Sequence, residues 1–88
     1  MFSILMFYVY ILKCDEGRYY IGSTDNVEHR IAEHNSKQYR GWTNRYKNWL
    51  LVHCEEFASR TEALMRERQI KKMKGGGQFK KLISSLGS

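Results

Sequence analysis

Phe7-Tyr8-Val9-Tyr10-Ile11-Leu12, Lys13-Cys14-Asp15-Glu16-Gly17 and Arg18-Tyr19-Tyr20-Ile21-Gly22 form the continuous stretch on which the fold turns. The first six residues are β-branched, aromatic and almost unbroken in apolar character, the pattern of a strand covered on both faces. Asp15-Glu16-Gly17 is a turn signal, with Gly17 suited to positive φ. Arg18 to Gly22 reads as the returning strand, so the two runs make an antiparallel hairpin. Gly22 closes that strand where a backbone or a ligand can approach closely.

Beyond the hairpin, Asp25-Asn26-Val27-Glu28 is a capping-box pattern with Asp25 as the cap, opening a helix that runs to about Asn35. At 100° per residue, Val27, Arg30, Ile31 and His34 share an arc of about 100°. Val27 and Ile31 are the apolar stripe, and Arg30 and His34 lie at its edge, aimed at the sheet. Ser36 to Asn48 is a polar loop in which basic and aromatic residues alternate: Tyr39, Arg40, Trp42, Arg45, Tyr46. Such a mixture can hold phosphates and stack on bases, or its Trp42 can simply pack down. Trp49 to Phe57 reads as a third strand. Ser59-Arg60-Thr61-Glu62 is a second capping box, and the helix behind it presents Ala63, Leu64 and Ile70 inward. Glu67 falls inside that face, about 40° from Ala63 and about 60° from Leu64 and Ile70. Lys71 and Lys74 lie on the same side. Gly75-Gly76-Gly77 ends the helix, and Phe79, Leu82, Ile83 and Leu86 make a third, amphipathic one. The expected fold is α+β: a three-stranded antiparallel sheet flanked by three helices, in the order β-β-α-β-α-α.

Eighty-eight residues hold one domain and one modest core. A hydrophobic content of 42% with 14% aromatics is that of a globular chain. The two cysteines, Cys14 and Cys54, are too few for a disulfide scaffold and read as free thiols in a reducing cytoplasm. With three scattered histidines they do not make a zinc site. Met1 to Leu12 is apolar but too short to span a bilayer, and it lacks the basic start and cleavage site of a signal peptide. Met6 is an alternative start, since the periodic core begins right after it. Charge is lopsided: residues 1–58 carry 7 basic and 7 acidic side chains, residues 59–88 carry 8 and 2, so the whole net charge of +6 sits in the last third. That is the footprint of a polyanion partner, or of a solvated lysine-rich helix face.

Tyr8-Val9-Tyr10, a nine-residue gap, Tyr20-Ile21-Gly22, Arg30 ten positions after Tyr20, and Glu67 downstream in Ala63-Leu64-Met65-Arg66-Glu67 form an ordered set. The set resembles the GIY-YIG nuclease family, above all its small stand-alone members, from about Phe7 to about Lys74. The resemblance implies a single nuclease domain over 1–88, with a core at about 6–74 and a basic C-terminal helix at 77–86. It implies a metal-dependent endonuclease that hydrolyses DNA phosphodiester bonds in DNA repair or processing. Its alternative is a nucleic-acid-binding module of the same fold that cuts poorly or not at all. Tyr8 departs from the leading Gly of the family's first motif. No second DNA-binding domain follows, so targeting falls to the basic last third, to a partner protein, or to nothing specific. No Asn after Glu67 matches the one in the homing enzymes.

The site residues carry two readings each. A carboxylate on an inner helix face is costly unless paired, protonated or metal-bound. Glu67 either salt-bridges Lys71, Arg60 or Arg30, or ligates a divalent cation. One carboxylate, with water and phosphate completing an octahedron, is how Mg²⁺ usually sits at phosphate sites. The resemblance favours Mg²⁺ or Mn²⁺ on Glu67. Tyr10 and Tyr20 are ordinary strand aromatics on pattern alone. By resemblance Tyr20 activates the attacking water and Tyr10 lines the site. A free phenol has a pKa near 10, so only about 0.1% is phenolate at pH 7 and nearby cations must favour the charged form. Arg30 suits a phosphate bidentately. His34 is either a satisfied core histidine or a partner for a phosphate oxygen or a proton. Lys13, Arg40, Arg45, Lys71, Lys72 and Lys74 are the expected contacts to DNA, or to RNA.

Overall fold

The structure is a computed structural model and describes residues 5–36 and 41–84. Strand β1 (Phe7–Lys13) and strand β2 (Tyr19–Thr24) are the expected hairpin, followed by helix α1 (Val27–Asn35), a 3-10 helix (Trp42–Arg45), strand β3 (Leu50–Phe57), helix α2 (Arg60–Met73) and helix α3 (Gly77–Ser84). The α+β order read from the sequence holds, with the 3-10 helix added inside the loop. All pairings are antiparallel and the sheet order is β2-β1-β3. The central strand explains the unbroken apolar run. Val9, Tyr10, Ile11 and Leu12 are all fully buried, because β1 has a strand on each side and helices above and below.

Alternation along β1 splits the interior into two layers. Val9 and Ile11 face α2 and α3, packing with Ile21, Ala63, Ile70 and Phe79. Tyr10, Leu12 and Cys14 face the other way, packing with Trp49, and with Val27 and Ile31 of α1. Fully burying a side chain such as Ile70 or Phe79 contributes about 1.5–3 kcal/mol. Both cysteines are free thiols. No helix among the described residues is long and apolar enough to cross a membrane.

Local signals fix the helix ends. Ser59 Oγ accepts from the Glu62 N–H at 3.2 Å, as the capping box requires. At α1 the cap is Asn26 and not Asp25: Asn26 is extended (φ −146°) and its Oδ1 accepts from the His29 N–H at 3.1 Å. Asp and Asn cap about equally well, so sequence alone does not choose between neighbours. Leu64, expected on the inner face of α2, is 42% exposed; Ala63 and Ile70 carry that face. Leu86 and Arg40 lie outside the described residues.

Trp49 ties three elements together just before β3. Its backbone N–H donates to Asn35 Oδ1 at 2.8 Å and its carbonyl accepts from Asn35 Nδ2 at 3.1 Å. Its indole N–H donates to the Thr43 carbonyl at 2.9 Å. The end of α1, the 3-10 helix and the start of β3 are thereby held over the Tyr10 face of the sheet.

Candidate active site

The Tyr10 ring is fully buried on β1, directly opposite Gly22 of β2. A Cβ on Gly22 would stand 2.7 Å from the Tyr10 hydroxyl and 2.9 Å from the Tyr20 ring. Only glycine lets the two phenols close over the strand. The Tyr10 oxygen lies 3.4 Å from Arg30 Nε and 3.4 Å from His34 Nε2, both from α1. His34 is buried, with its Nδ1 2.8 Å from Thr43 Oγ1. The Tyr20 ring packs on His34 at 4.3 Å between centroids and lies 6.0 Å from the rings of Tyr10 and Trp42. Tyr10, Tyr20, Arg30 and His34 are thus one contiguous cluster.

Electrostatics separates their roles. Burial pushes the Tyr10 phenol well above its ordinary range, against the opposing hydrogen bond from Arg30, so Tyr10 stays protonated. The same hydrogen bond raises Arg30, which is a permanent cation. Burial, with the charge of Arg30, takes His34 down to about 4, so its ring is neutral at physiological pH. His34 was expected to be either a satisfied core histidine or a partner for a phosphate oxygen or a proton; with 1% of its surface exposed, it touches Tyr10 and Thr43, as the first reading requires. Arg30 keeps 30% of its side chain accessible and gives one further bond, Nη1 to Glu33 Oε1 at 3.3 Å.

A groove of about 200 Å³ opens where β2 forms the sheet edge. Tyr19, Tyr20, Ile21 and Trp42 line it from the sheet side, and Lys71 of α2 and Lys74 at its C-terminal cap from the other. Lys74 Nζ donates to the Tyr19 carbonyl at 3.1 Å. Lys71 Nζ donates to Glu67 Oε2 at 2.7 Å, so Glu67 stands behind Lys71 and is not itself one of the lining residues. The Glu67 side chain is only 16% accessible while Lys71 is 54% accessible. An i,i+4 pair with its ammonium at the surface contributes about 0.3–1 kcal/mol. Lys71 was one of the expected salt-bridge partners of Glu67, and it is the one found.

No group of three or more His, Cys, Asp or Glu side chains gathers among the described residues, so a fully protein-ligated metal has no place there. One half-buried carboxylate beside an open groove does fit a Mg²⁺ or Mn²⁺ that keeps most of its water and shares a phosphate oxygen. The remaining basic residues divide. Lys13 lies over the Tyr19 ring at 5.7 Å, opposite Tyr19 in the sheet register and therefore not beside the Tyr20 phenol. Arg45 and Lys72 are exposed and do not line the groove.

Sequence reasoning passed over Thr43, Asn35 and Glu33. Glu33 at i+3 from Arg30 was available as a helix-neighbour signal. Thr43 reaches His34 only through the tertiary fold and left no local mark.

The GIY-YIG catalytic domain pattern matches residues 6–80. A UPF0213 protein of Halobacterium salinarum is 40% identical over 68 residues, which is 77% of this chain and 88% of that one. A UPF0213 protein of Staphylococcus haemolyticus is 45% identical over 64 residues, 73% of this chain and 78% of its own length. The solution NMR structure of the UPF0213 protein of Bacillus halodurans is similar with a TM-score of 0.54 at 33% identity, covering 92% of this chain and 84% of that chain. Two strand tyrosines crossing a glycine, an arginine one helix away and a match over most of the length have a single family in common, and the chain belongs to it: the GIY-YIG family, a family of nucleases.

Proposed function

We propose that the protein is a divalent-metal-dependent endonuclease that hydrolyses DNA phosphodiester bonds. The observation that carries this reading is the division of labour between the two phenols. Tyr10 is buried and held protonated, whereas Tyr20 lines the basic groove. Tyr20 is therefore the phenol in a position to take a proton from an attacking water. Arg30, one helix away, offers its guanidinium to the phosphate and steadies the charge that builds on its oxygens. Lys71 and Lys74 hold the strand through its phosphates. Trp42, 49% exposed at the same groove, offers a ring on which a base can stack. Glu67 would hold Mg²⁺ or Mn²⁺, and such an ion supplies Lewis-acid stabilisation of the phosphate when bound.

A nicking assay on supercoiled plasmid with and without Mg²⁺ or Mn²⁺ tests the proposal. Glu67→Gln sharpens it: the pair with the surface ammonium of Lys71 contributes about 1 kcal/mol at most, so the variant should melt close to wild type while losing metal-dependent nicking. Wild-type nicking by Glu67→Gln would sink the metal assignment. Plasmid binding without nicking under either metal favours the second reading, a nucleic-acid-binding module of the same fold.

A further inference from the structure

We propose that Thr43 is a positioning residue of this site: through the His34 ring and the Tyr10 phenol, its hydroxyl fixes where the Arg30 guanidinium stands. The proposal rests on the catalytic reading of Arg30 given above.

The direction of each hydrogen bond follows from what each group can do. A guanidinium has donors only, so the contact of Arg30 Nε with Tyr10 at 3.4 Å has the phenol oxygen as acceptor. The phenol is buried, so its own proton needs an acceptor, and the described contact that can supply one is His34 Nε2 at 3.4 Å. Nε2 must then be bare. The ring is buried beside a permanent cation and is neutral, so its one proton sits on Nδ1. Nδ1–H donates to Thr43 Oγ1 at 2.8 Å. A threonine hydroxyl can give or accept, and here the far end of the chain decides that it accepts.

The result is a polarised line, Arg30 to Tyr10 to His34 to Thr43, in which each donor strengthens the next. The two 3.4 Å links are long and leave room to tighten when a phosphate draws on Arg30. The fold anchors the far end firmly. Thr43 is fully buried, and its backbone carbonyl accepts from the Trp49 indole at 2.9 Å. That backbone anchor survives a change of side chain, so the hydroxyl can be tested by itself.

The test reads the His34 tautomer from ring ¹⁵N chemical shifts of the intact protein and, in parallel, Mg²⁺-dependent plasmid nicking. Wild type should show the Nδ1–H tautomer. Thr43→Val, nearly isosteric but without an acceptor, should move the proton to Nε2, which then competes with Arg30 for the Tyr10 oxygen. Nicking kcat should fall about tenfold with KM within twofold, because the guanidinium is displaced and the groove is not. Thr43→Ser should restore both tautomer and rate. An Nε2–H tautomer in wild type, or ring shifts unaltered by Thr43→Val, would overturn the proposal. If Thr43→Val fails to fold, the wild-type tautomer and the Thr43→Ser shifts still decide it. The NMR arm needs no turnover. Absence of nicking in wild type would count against the nuclease reading, while the tautomer result judges the relay separately.

Discussion

Two clusters of this molecule contain an arginine, a histidine and an oxygen acceptor, one on each face of the sheet, and they are built to opposite ends. On the α2 side, Arg66 gives two bonds to the Glu55 carboxylate, Nε at 2.8 Å and Nη2 at 3.0 Å, and His53 Nε2 adds a third contact at 2.7 Å. On the α1 side, Arg30 meets a neutral phenol at 3.4 Å and one oxygen of Glu33 at 3.3 Å. A bidentate carboxylate neutralises a guanidinium and locks it. A neutral acceptor orients one and leaves its charge for something else. Burial acts to raise the Glu55 carboxyl, yet the bonds from Arg66 and His53 prevail and hold it below the usual carboxylate range. The charge in that cluster is committed to the fold. The charge of Arg30 is less committed, and under the proposed nuclease function it is the charge that would meet a phosphate.

The largest expected effect comes from exchanging the fates of the two arginines. Arg30→Ala should lower nicking kcat by about 10²–10³, the usual loss on removing one preorganised donor to a developing negative charge. Its melting curve should shift by about 1 kcal/mol at most, since a partly exposed ion pair with Glu33 and one long 3.4 Å bond to the Tyr10 hydroxyl are lost. Arg66→Met should do the reverse. Glu55 and Arg66 are each about a quarter exposed, between the buried and the surface limits, so a loss of about 2 kcal/mol in stability is expected. Nicking per folded molecule should stay at the wild-type level. Urea titration and nicking rates on both variants check this pair. An Arg66→Met protein that keeps its stability and loses its activity would break the comparison.

A second, somewhat smaller effect is the pH dependence that His34 imposes. Its pKa drops from 6.5 to about 4 on folding, so between these values the unfolded chain binds more protons than the folded one. Stability is therefore full above pH 6.5 and is lost as pH falls through the window toward 4, by up to about 3 kcal/mol. His34→Gln should be less stable than wild type near neutrality and flatter across the window. Melting temperatures of the two proteins at several pH values measure the difference, which cancels the carboxylates they share. Parallel curves would show that His34 is not neutral and buried in solution, and the hydrogen-bond line through Tyr10 would go with it.

Local chemistry was legible in the sequence and long-range assembly was not. The hairpin followed from turn residues between two β-rich runs, and the Ser59 cap from its spacing to Glu62. Gly22 could be marked as a close approach, but only the sheet register names the Tyr10 hydroxyl as what approaches. Leu64 was misplaced because an apolar residue on a helix's inner arc looks the same whether the next layer is present or, as here, leaves it 42% exposed. His34 was legible as a residue at the edge of an apolar stripe. Its neutrality depends first on burial among the rings of Tyr10, Tyr20 and Trp49, with the charge of Arg30 added, and a burial assembled from distant segments is not encoded in a local pattern.

The smallest effect extends the comparison to the two lysines of the groove. Lys71 is matched to the Glu67 carboxylate, whereas Lys74 rests on the neutral Tyr19 carbonyl. The rule drawn from the arginines says that Lys74 retains its full charge for a phosphate and Lys71 does not. Measured by fluorescence anisotropy on duplex DNA without divalent metal, Lys74→Ala should reduce the log–log salt slope by about 0.9, the value of one phosphate contact. Lys71→Ala should reduce it by less, because the carboxylate it leaves behind was already cancelling its charge. Glu67→Gln in the same assay should steepen the slope, since it frees Lys71. Equal losses for the two lysines would mean that a 54% accessible ammonium turns away from Glu67 as DNA arrives. The distinction between committed and available cations would then hold for the rigid arginines and fail for the flexible lysines.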